Sequence, residues 1–516
     1  MRAVLVMLLL VASALAGCLG TPSQPPTAPP GPPPSGLAAA RFEVYTLPAV
    51  FGDPLGQNDE NTIGLYEPTI DVGDDGTIYV SAHSTEVGRY PAPAYFSVDD
   101  GVTWQSMALA QDYQGDPNQQ SSAPLFSDEV FIVAGEAGTA WGADCCNERS
   151  EFPLVGWCEN GAAVCYYNQN AYDHTRLLLD ASPNCVAFPT TDRPWVAYAN
   201  GKVLLVNNPG GALVSANGQI PLQVGSLDVP PPTAVAYTGA AWQISWNLCG
   251  SSGGFIPGIP DMRDDHFFAV PQWVDFATEG CGAETHYDVI TGHANDLHAL
   301  TQTTVFQNSH VAPAESDSTP SQVGLYGQAV FDAHGALYVG AMNNTAIMDG
   351  DECVAHPSEG AIHLALSTDD AATFVETTFR FSRPISAFYM DGNRYGAGSL
   401  LTWGEIDGDH TDWFVGHVFP SENGTLRLEN IMLAVDDGPE ASRHVQGAAL
   451  GPDGRAYLAL SLNSNNPGGA RASPGDTPLR VAVQQDGPRM PTNGAPAAAT
   501  SEASDPPRHT VPTTSS

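Results

Sequence analysis

A carboxylate, a guanidinium and an aromatic ring lie within four consecutive residues, Asp192-Arg193-Pro194-Trp195. An arginine binds anionic groups through a rigid fork of N–H donors, and aromatic side chains line most ligand pockets. The run therefore indicates a binding pocket. A structural role is the alternative, in which Asp192 and Arg193 pair with neighbouring parts of the chain and Trp195 packs in the core.

A second polar group is acidic. Asp407, Asp409 and Asp412 lie close together in residues 405–412, and closely spaced carboxylate oxygens are the ligands that Ca²⁺ prefers. The residue order of an EF-hand loop is incomplete here, so a solvated acidic loop is the alternative. Ca²⁺ is the one cofactor that the sequence suggests.

Cysteines are the third chemically active group. After Cys18 there are eight, an even number, and none forms a CxxC pair. In an exported chain this composition predicts disulfides, with a zinc site as the alternative. The spacing leaves their connectivity open. The disulfide candidates are Cys145, Cys146, Cys158, Cys165, Cys185, Cys249, Cys281 and Cys353.

Charge excludes one class of partner. The chain has 18 basic and 57 acidic residues, a formal net charge of −39. Such a surface repels phosphate backbones, so nucleic acid is excluded as a partner. Self-repulsion that salt would screen suggests a salt-adapted source, and an ordinary acidic secreted protein is the alternative.

The N-terminus has the features of an export signal. Met1-Arg2 precedes a short apolar run, and Leu15-Ala16-Gly17-Cys18 resembles the lipobox of prokaryotic lipoproteins. That resemblance implies a signal peptide over 1–17, lipidation of Cys18 and attachment to the outer face of the cytoplasmic membrane; simple secretory cleavage is the alternative. The proline-rich residues 18–40 predict a linker, and residues 489–516 predict a disordered tail.

The folded elements between these segments are β-hairpins. Residues 97–104 spell Ser-x-Asp-x-Gly-x-Thr-Trp, the Asp-box, in which an aspartate and a glycine shape a turn and strand-forming residues follow. A second copy at 367–374 has Ala371 in place of the glycine. The residues that define the two boxes are Ser97, Asp99, Gly101, Thr103, Trp104, Ser367, Asp369, Thr373 and Phe374.

Another hairpin type recurs along the chain. Its turn glycines are Gly76, Gly201, Gly335 and Gly454, and tyrosines follow three residues after three of them, at Tyr79, Tyr338 and Tyr457. The intervals fit two four-stranded units each, so the sequence predicts an all-β propeller with seven blades, or six as the alternative. Further hairpins are expected near Asp128–Gly135, Tyr237 and Asp391. Residues 42–46 are expected to add the missing outer strand of the last blade.

Asp-boxes on repeated four-stranded units resemble the sialidase-like β-propellers, also called BNR-repeat proteins. The resemblance covers residues 41–488, with a loop-rich insertion expected around 250–320. It implies that ligands bind at the end of the ring opposite to the Asp-boxes. The residues that the repeat alignment places at that channel mouth are Glu67, Asp192, Arg193, Tyr326 and Gln446.

Sialidase chemistry would require three arginines around a substrate carboxylate, a Tyr–Glu pair as nucleophile and an aspartate as acid and base. The family's Arg-Ile-Pro motif is absent before the first box, and the nearest run, Ser382-Arg383-Pro384-Ile385, follows the second box. The sequence therefore favours a monomeric, lipid-anchored propeller that binds a glycan or a surface protein without catalysis. A glycoside hydrolase acting on extracellular glycans is the alternative. The arginines of the ring include Arg89, Arg176, Arg193, Arg263, Arg383 and Arg394.

Overall fold

The computed structural model contains β-strands joined by turns. It describes residues 36–48, 65–84, 94–106, 130–134, 139–144, 161–167, 185–189, 195–200, 202–207, 219–228, 238–245, 255–277, 283–311, 329–349, 352–407, 410–436, 443–462 and 479–492. Within these ranges no helix is long and apolar enough to cross a membrane.

The strands follow one another along the chain with mostly short connections. In order they are β1 (Arg41–Thr46), β2 (Leu65–Val72), β3 (Ile78–Ser84), β4 (Ala94–Ser97), β5 (Gln105–Ser106), β6 (Val130–Ala134), β7 (Thr139–Asp144), β8 (Gly161–Tyr167), β9 (Cys185–Pro189), β10 (Trp195–Ala199), β11 (Lys202–Asn207), β12 (Gln219–Asp228), β13 (Thr238–Ser245), β14 (Phe255–Pro257), β15 (Asp261–Met262), β16 (Phe267–Ala277), β17 (Ala283–His293), β18 (Asp296–Val311), β19 (Ala329–Phe331), β20 (Leu337–Asp349), β21 (Glu352–Ser367), β22 (Val375–Phe381), β23 (Ile385–Gly392), β24 (Ser399–Asp407), β25 (His410–Pro420), β26 (Leu426–Asp436), β27 (Arg443–Leu450), β28 (Ala456–Leu462) and β29 (Arg480–Asp486).

These strands form antiparallel sheets. Numbered along the chain, they are sheet 1 (β2–β5), sheet 2 (β6–β9), sheet 3 (β10–β13), sheet 4 (β14–β18), sheet 5 (β19–β22), sheet 6 (β23–β26) and sheet 7 (β27–β29 with β1). The first strand of each sheet contacts the first strand of the next, with β15 serving in sheet 4, and β27 contacts β2. The expected all-β propeller is therefore confirmed. Side-chain packing is described through most of five sheets, 1, 4, 5, 6 and 7.

The predicted turns have the same geometry in three sheets. Gly76, Gly335 and Gly454 have φ values of 84°, 78° and 77°, which glycine adopts at little cost. The N–H of each donates to the carbonyl three residues earlier, at 2.9 Å in all three turns. The tyrosine three residues after each glycine is buried, so the repeat in the sequence corresponds to a repeated hairpin packed in the core.

The ring closes as expected. β1 pairs antiparallel with β29 as the outer strand of sheet 7. The residues before it are also fixed, because the N–H of Ala38 donates to the carbonyl of Ile431 in sheet 6 at 2.7 Å. This pairing covers the edge of β29 that would otherwise be exposed.

The core lies between neighbouring sheets. One cluster joins sheets 6 and 7 and includes Trp195 and Tyr198 from sheet 3, a second joins sheets 5 and 6, a third joins sheets 7 and 1, and a fourth joins sheets 4 and 5. Trp195 on β10 is fully buried and packs in the first of these clusters. The structural alternative for this side chain is therefore confirmed.

Residues 250–320 were expected to be a loop-rich insertion, and this expectation is wrong. β14–β18 in this region form sheet 4 of the ring. The turn between β15 and β16 has the usual bonds, since the N–H of His266 donates to the carbonyl of Arg263 at 2.8 Å. His266 has a φ of 66° where the other turns have glycine, so an alignment on glycines cannot detect it. The hairpin expected near Tyr237 does not begin a new sheet. The strand after it, β13, is the last strand of sheet 3.

Ordered packing continues into the predicted tail. The N–H of Met490 donates to the carbonyl of Gly454 at 2.9 Å, and the Met490 side chain is buried between sheets 6 and 7. The amide of Asn393 donates to the carbonyl of Pro491 at 2.9 Å. Residues 487–492 therefore hold together the first turns of sheets 6 and 7.

Candidate functional site

The predicted channel-mouth residues are only partly described. Asp192, Arg193 and Tyr326 lie outside the described residues, while Glu67 and Gln446 lie on β2 and β27, whose backbones alone are described there. β2 and β27 contact each other in the ring. The pocket at the mouth therefore stays a prediction.

Each Asp-box is closed by its own side chains. In the first, the hydroxyl of Thr103 donates to Asp99 Oδ2 at 2.6 Å, its N–H donates to Oδ1 at 2.8 Å, and Ser97 donates to Oδ1 at 2.9 Å. The side-chain bond from Thr103 is the main cause that lowers the pKa of Asp99. The second box, with Ser367, Asp369 and Thr373, has the same three bonds. In both boxes the aspartate accepts bonds from within its own turn, so these side chains shape the turns.

Two arginines fasten these boxes to the preceding sheet. Arg455, in the first turn of sheet 7, binds Asp453 in its own turn at 2.5 Å and Asp100 in the first box at 2.6 Å. Arg263, in the first turn of sheet 4, binds Asp265 at 2.7 Å and Asp370 in the second box at 2.6 Å. These pairs place the first turns and the Asp-boxes at one end of the ring, which we call the Asp-box end.

The Arg455–Asp100 pair gives a test of this fastening. Arg455 is largely buried while Asp100 is mostly exposed, so solvent screens part of the attraction. A double-mutant cycle with Arg455→Gln and Asp100→Asn is expected to give a coupling of about 0.5–1 kcal/mol in the free energy of unfolding. The coupling should shrink in high salt. A coupling of zero at low salt would contradict the fastening, and Arg427→Gln with Glu429→Gln, a pair within one strand, is the matched control.

A charged cluster spans the channel at the Asp-box end. Its carboxylates are Asp71 at the end of β2, Asp261 in β15 and Asp391 at the end of β23. These strands belong to sheets 1, 4 and 6, which are not neighbours in the ring. The interaction of the three charges therefore runs across the axis of the propeller. We call Asp71, Asp261, Asp391 and Arg394 the channel-floor cluster.

Backbone donors fix these carboxylates. Asp261 accepts the N–H of Met262 and, from sheet 5, the N–H of Phe331, both at 2.7 Å. Asp391 accepts the N–H of Leu450 from sheet 7 at 2.6 Å. Each of these two aspartates thus joins its own first strand to the first strand of the next sheet.

Arg394 crosses from sheet 6 to sheet 1. Its guanidinium lies 3.5 Å from Asp71 Oδ1 and donates to the carbonyl oxygen of Val72. Its Nε donates to the hydroxyl of Tyr395 at 2.9 Å, and that hydroxyl donates to Asp74 Oδ1 at 2.8 Å. The guanidinium also stacks on the ring of Tyr395, 5.3 Å from its centroid. Arg394 and Tyr395, in the first turn of sheet 6, are therefore bound to the first hairpin of sheet 1, two sheets further round the ring.

Burial changes the acidity of the cluster. Loss of solvent, together with the charge of Asp71, raises the pKa of Asp391 to about 8 against the opposing effects of Arg394 and the Leu450 N–H. Loss of solvent likewise raises the pKa of Asp261 to about 6. Three partly enclosed carboxylates, with the more exposed Asp74 beside them, interact with one guanidinium, so neutral pH favours a proton on Asp391.

The acidic loop predicted for Ca²⁺ has a different arrangement. Arg383 binds Asp412 at 2.8 Å and Asp407 at 3.0 Å, while Asp409 lies outside the described residues. A guanidinium between two carboxylates repels a cation, so the described part of this loop does not fit a calcium site. In the described ranges no group of three or more metal-ligating side chains is present.

Three of the arginines named above for the ring are described, and each is bound to carboxylates of this chain. Arg263 lies in the first turn of sheet 4, Arg383 between β22 and β23, and Arg394 in the first turn of sheet 6. Arg89, Arg176 and Arg193 lie outside the described residues. Sequence reasoning missed the fastening arginines and the channel-floor cluster, because their partners are up to 355 residues away.

The strand arrangement is similar to that of several solved structures. Polysaccharide lyase Uly1 has a TM-score of 0.43 at 10% identity, over 81% of this chain and 89% of that protein. Phage phi92 endosialidase has a TM-score of 0.39 at 11% identity, over 87% and 70%. Trypanosoma rangeli sialidase bound to 2,3-difluorosialic acid has a TM-score of 0.37 at 11% identity; 89% of this chain matches 59% of the sialidase. No family model and no curated protein matches the sequence. Matches this distant say nothing about activity.

Proposed function

We propose that this chain is an exported, lipid-anchored propeller that binds a glycan or a surface protein at the channel mouth, without catalysing a reaction on it. The observation that carries the proposal is the pairing of three described arginines of the ring. Arg263, Arg383 and Arg394 each bind carboxylates of the chain itself, whereas a sialidase needs three arginines free to meet a substrate carboxylate.

The channel-floor cluster supports ligand binding at the end of the ring opposite to the Asp-boxes. Arg394 and its partners occupy the axis at the Asp-box end, so a ligand has more room at the opposite end, where Arg193 is predicted to lie. We further propose that the ring has seven blades. The order of the sheets and the contacts of their first strands support this number.

Disulfides are part of the proposal. The register of β8 and β9 places Cys165 opposite Cys185. Residues directly opposite in an antiparallel pair have Cα atoms about 4.5–5.5 Å apart, within the range that a disulfide spans. We propose this pair as one of the disulfides expected of an exported chain, and the other pairings stay open.

A binding and turnover experiment tests the function. The full-length chain, extracted in detergent and labelled, is applied to a glycan array at low and high salt, and each retained glycan is then incubated with the chain and analysed for shortened products. We expect retention without cleavage, and Arg193→Ala should weaken retention at least tenfold. Arg41→Ala is the control, because Arg41 forms an exposed pair with Asp486 on the outer strand.

Shortened products would favour the glycoside hydrolase instead. Unchanged retention by the Arg193→Ala variant would show that the channel mouth is not the binding site.

A further inference from the structure

We propose that Arg394 and Tyr395 form a clasp that closes the Asp-box end of the channel, and that a proton held among the carboxylates beneath it keeps the clasp shut. The clasp joins sheet 6 to sheet 1 across the position of sheet 7. This inference is independent of which ligand binds at the channel mouth.

The contacts of the clasp are directional. Arg394 meets Asp71 and the carbonyl oxygen of Val72, and Tyr395 donates to Asp74. Asp74 also lies 3.9 Å from the Nε of Arg394. All three residues that receive the clasp belong to the first hairpin of sheet 1, so the clasp can open only if this hairpin and the first turn of sheet 6 separate.

The charges around Asp391 explain why its carboxyl group keeps a proton when the clasp is closed. Among the described residues, Asp391 faces Asp71 on β2, Asp261 on β15 and Arg394 in its own turn. β27 and β19 contribute uncharged N–H donors, from Leu450 and Phe331. The guanidinium of Arg394 is one-third exposed and Asp74 beside it is exposed to solvent, so water screens part of the repulsion. The three more enclosed carboxylates, if all ionised beside one guanidinium, still leave an excess of two negative charges, which is costly. One proton on Asp391 halves that excess.

The direction of the pH effect follows from the raised pKa of Asp391, about 8. The closed state holds a proton that the open, solvated carboxyl would release near its ordinary pKa of 3.8. Closure is therefore favoured at low pH and weakens as the pH rises toward 8. In that interval the opening equilibrium constant should increase up to tenfold per pH unit, and it should level off above about pH 8.

Hydrogen exchange measures the opening directly. The N–H groups of Leu450 and Phe331 donate to Asp391 and Asp261, so they exchange only when the cluster opens. The full-length chain is exchanged between pH 6.5 and 9, and the rates are divided by the intrinsic chemical rate at each pH. The N–H of Leu426, which donates to Thr377 in a buried site between sheets 5 and 6, is the internal control.

We expect the opening constant at Leu450 to rise by about fivefold from pH 7 to pH 8, because Asp391 is already half deprotonated at its raised pKa of about 8, with no rise at Leu426. In Asp391→Asn, whose amide oxygen can still accept the Leu450 N–H, the rise should disappear. In Tyr395→Phe, opening should be more frequent at every pH while the pH dependence remains. Asp486→Asn, at an exposed surface carboxylate, should behave like the wild type.

A wild-type opening constant at Leu450 that does not change with pH would overturn the proposal, whether or not the variants fold. Asp391→Asn with the full wild-type pH dependence would also overturn it, because the proton would then lie elsewhere.

Discussion

Gly392→Ala is expected to lower the free energy of unfolding by about 3 kcal/mol, the upper end of what overpacking costs. Gly392 ends β23, where the first strand of sheet 6 passes the first strand of sheet 5. A Cβ at this position would overlap the backbone carbonyl of Phe331. A backbone group cannot rotate away as a side chain does, so the two strands must separate.

Denaturant titration measures the loss, and Gly76→Ala is the comparison. Gly76 has a φ of 84° and open space where a Cβ would be added, so that variant reports backbone strain alone, about 1–2 kcal/mol. A Gly392→Ala protein that aggregates or expresses only as insoluble material agrees with the expectation. Unfolding at the wild-type denaturant concentration would contradict the close approach of sheets 5 and 6.

His417 is expected to make the protein acid-sensitive. Its side chain is fully buried on β25, and loss of solvent lowers its pKa from 6.5 to about 4. Below pH 6.5 His417 binds a proton in the unfolded chain but stays neutral in the folded chain. The contribution of His417 is therefore fully present above pH 6.5 and is lost as the pH falls toward 4, by about 3 kcal/mol in all.

The variant His417→Leu isolates this effect. Asp391 and Asp261 have raised pKa values and shift stability in the opposite direction over the same pH range, so the quantity to measure is the difference between the wild type and His417→Leu. That difference should change by about 3 kcal/mol between pH 7 and pH 4 in urea titrations. The control is His334→Gln, at an exposed position. A pH-independent difference would show that His417 is not held neutral by burial.

The sequence predicts those parts of the fold that depend on local turn chemistry. The Asp-box follows from Ser97, Asp99 and Thr103, whose bonds span at most four residues. The first hairpins can be predicted because their turns need a residue with positive φ, which glycine supplies. The closing strand β1 can be predicted because the last sheet would otherwise have only three strands. Each of these features can be recognised within one hairpin or one sheet.

Features that depend on contacts between distant residues cannot be predicted from local sequence patterns. In sheet 4 His266 takes the left-handed conformation that glycine has in the other turns, so the glycine pattern predicts an insertion where the structure has a sheet. The clasp joins Arg394 to residues 322 positions earlier, and no local pattern links them. Asp407 and Asp412 appear as calcium ligands in the sequence because Arg383, their partner, is 29 residues from Asp412.

The positions of the channel-mouth arginine side chains in a crystal of the ligand-free protein test the central claim most directly. We expect that Arg89, Arg176 and Arg193 do not converge, and that Arg263, Arg383 and Arg394 keep the carboxylate partners described above. Three arginine side chains within reach of one carboxylate-sized space, beside a Tyr–Glu pair, would contradict it and identify the chain as a catalyst.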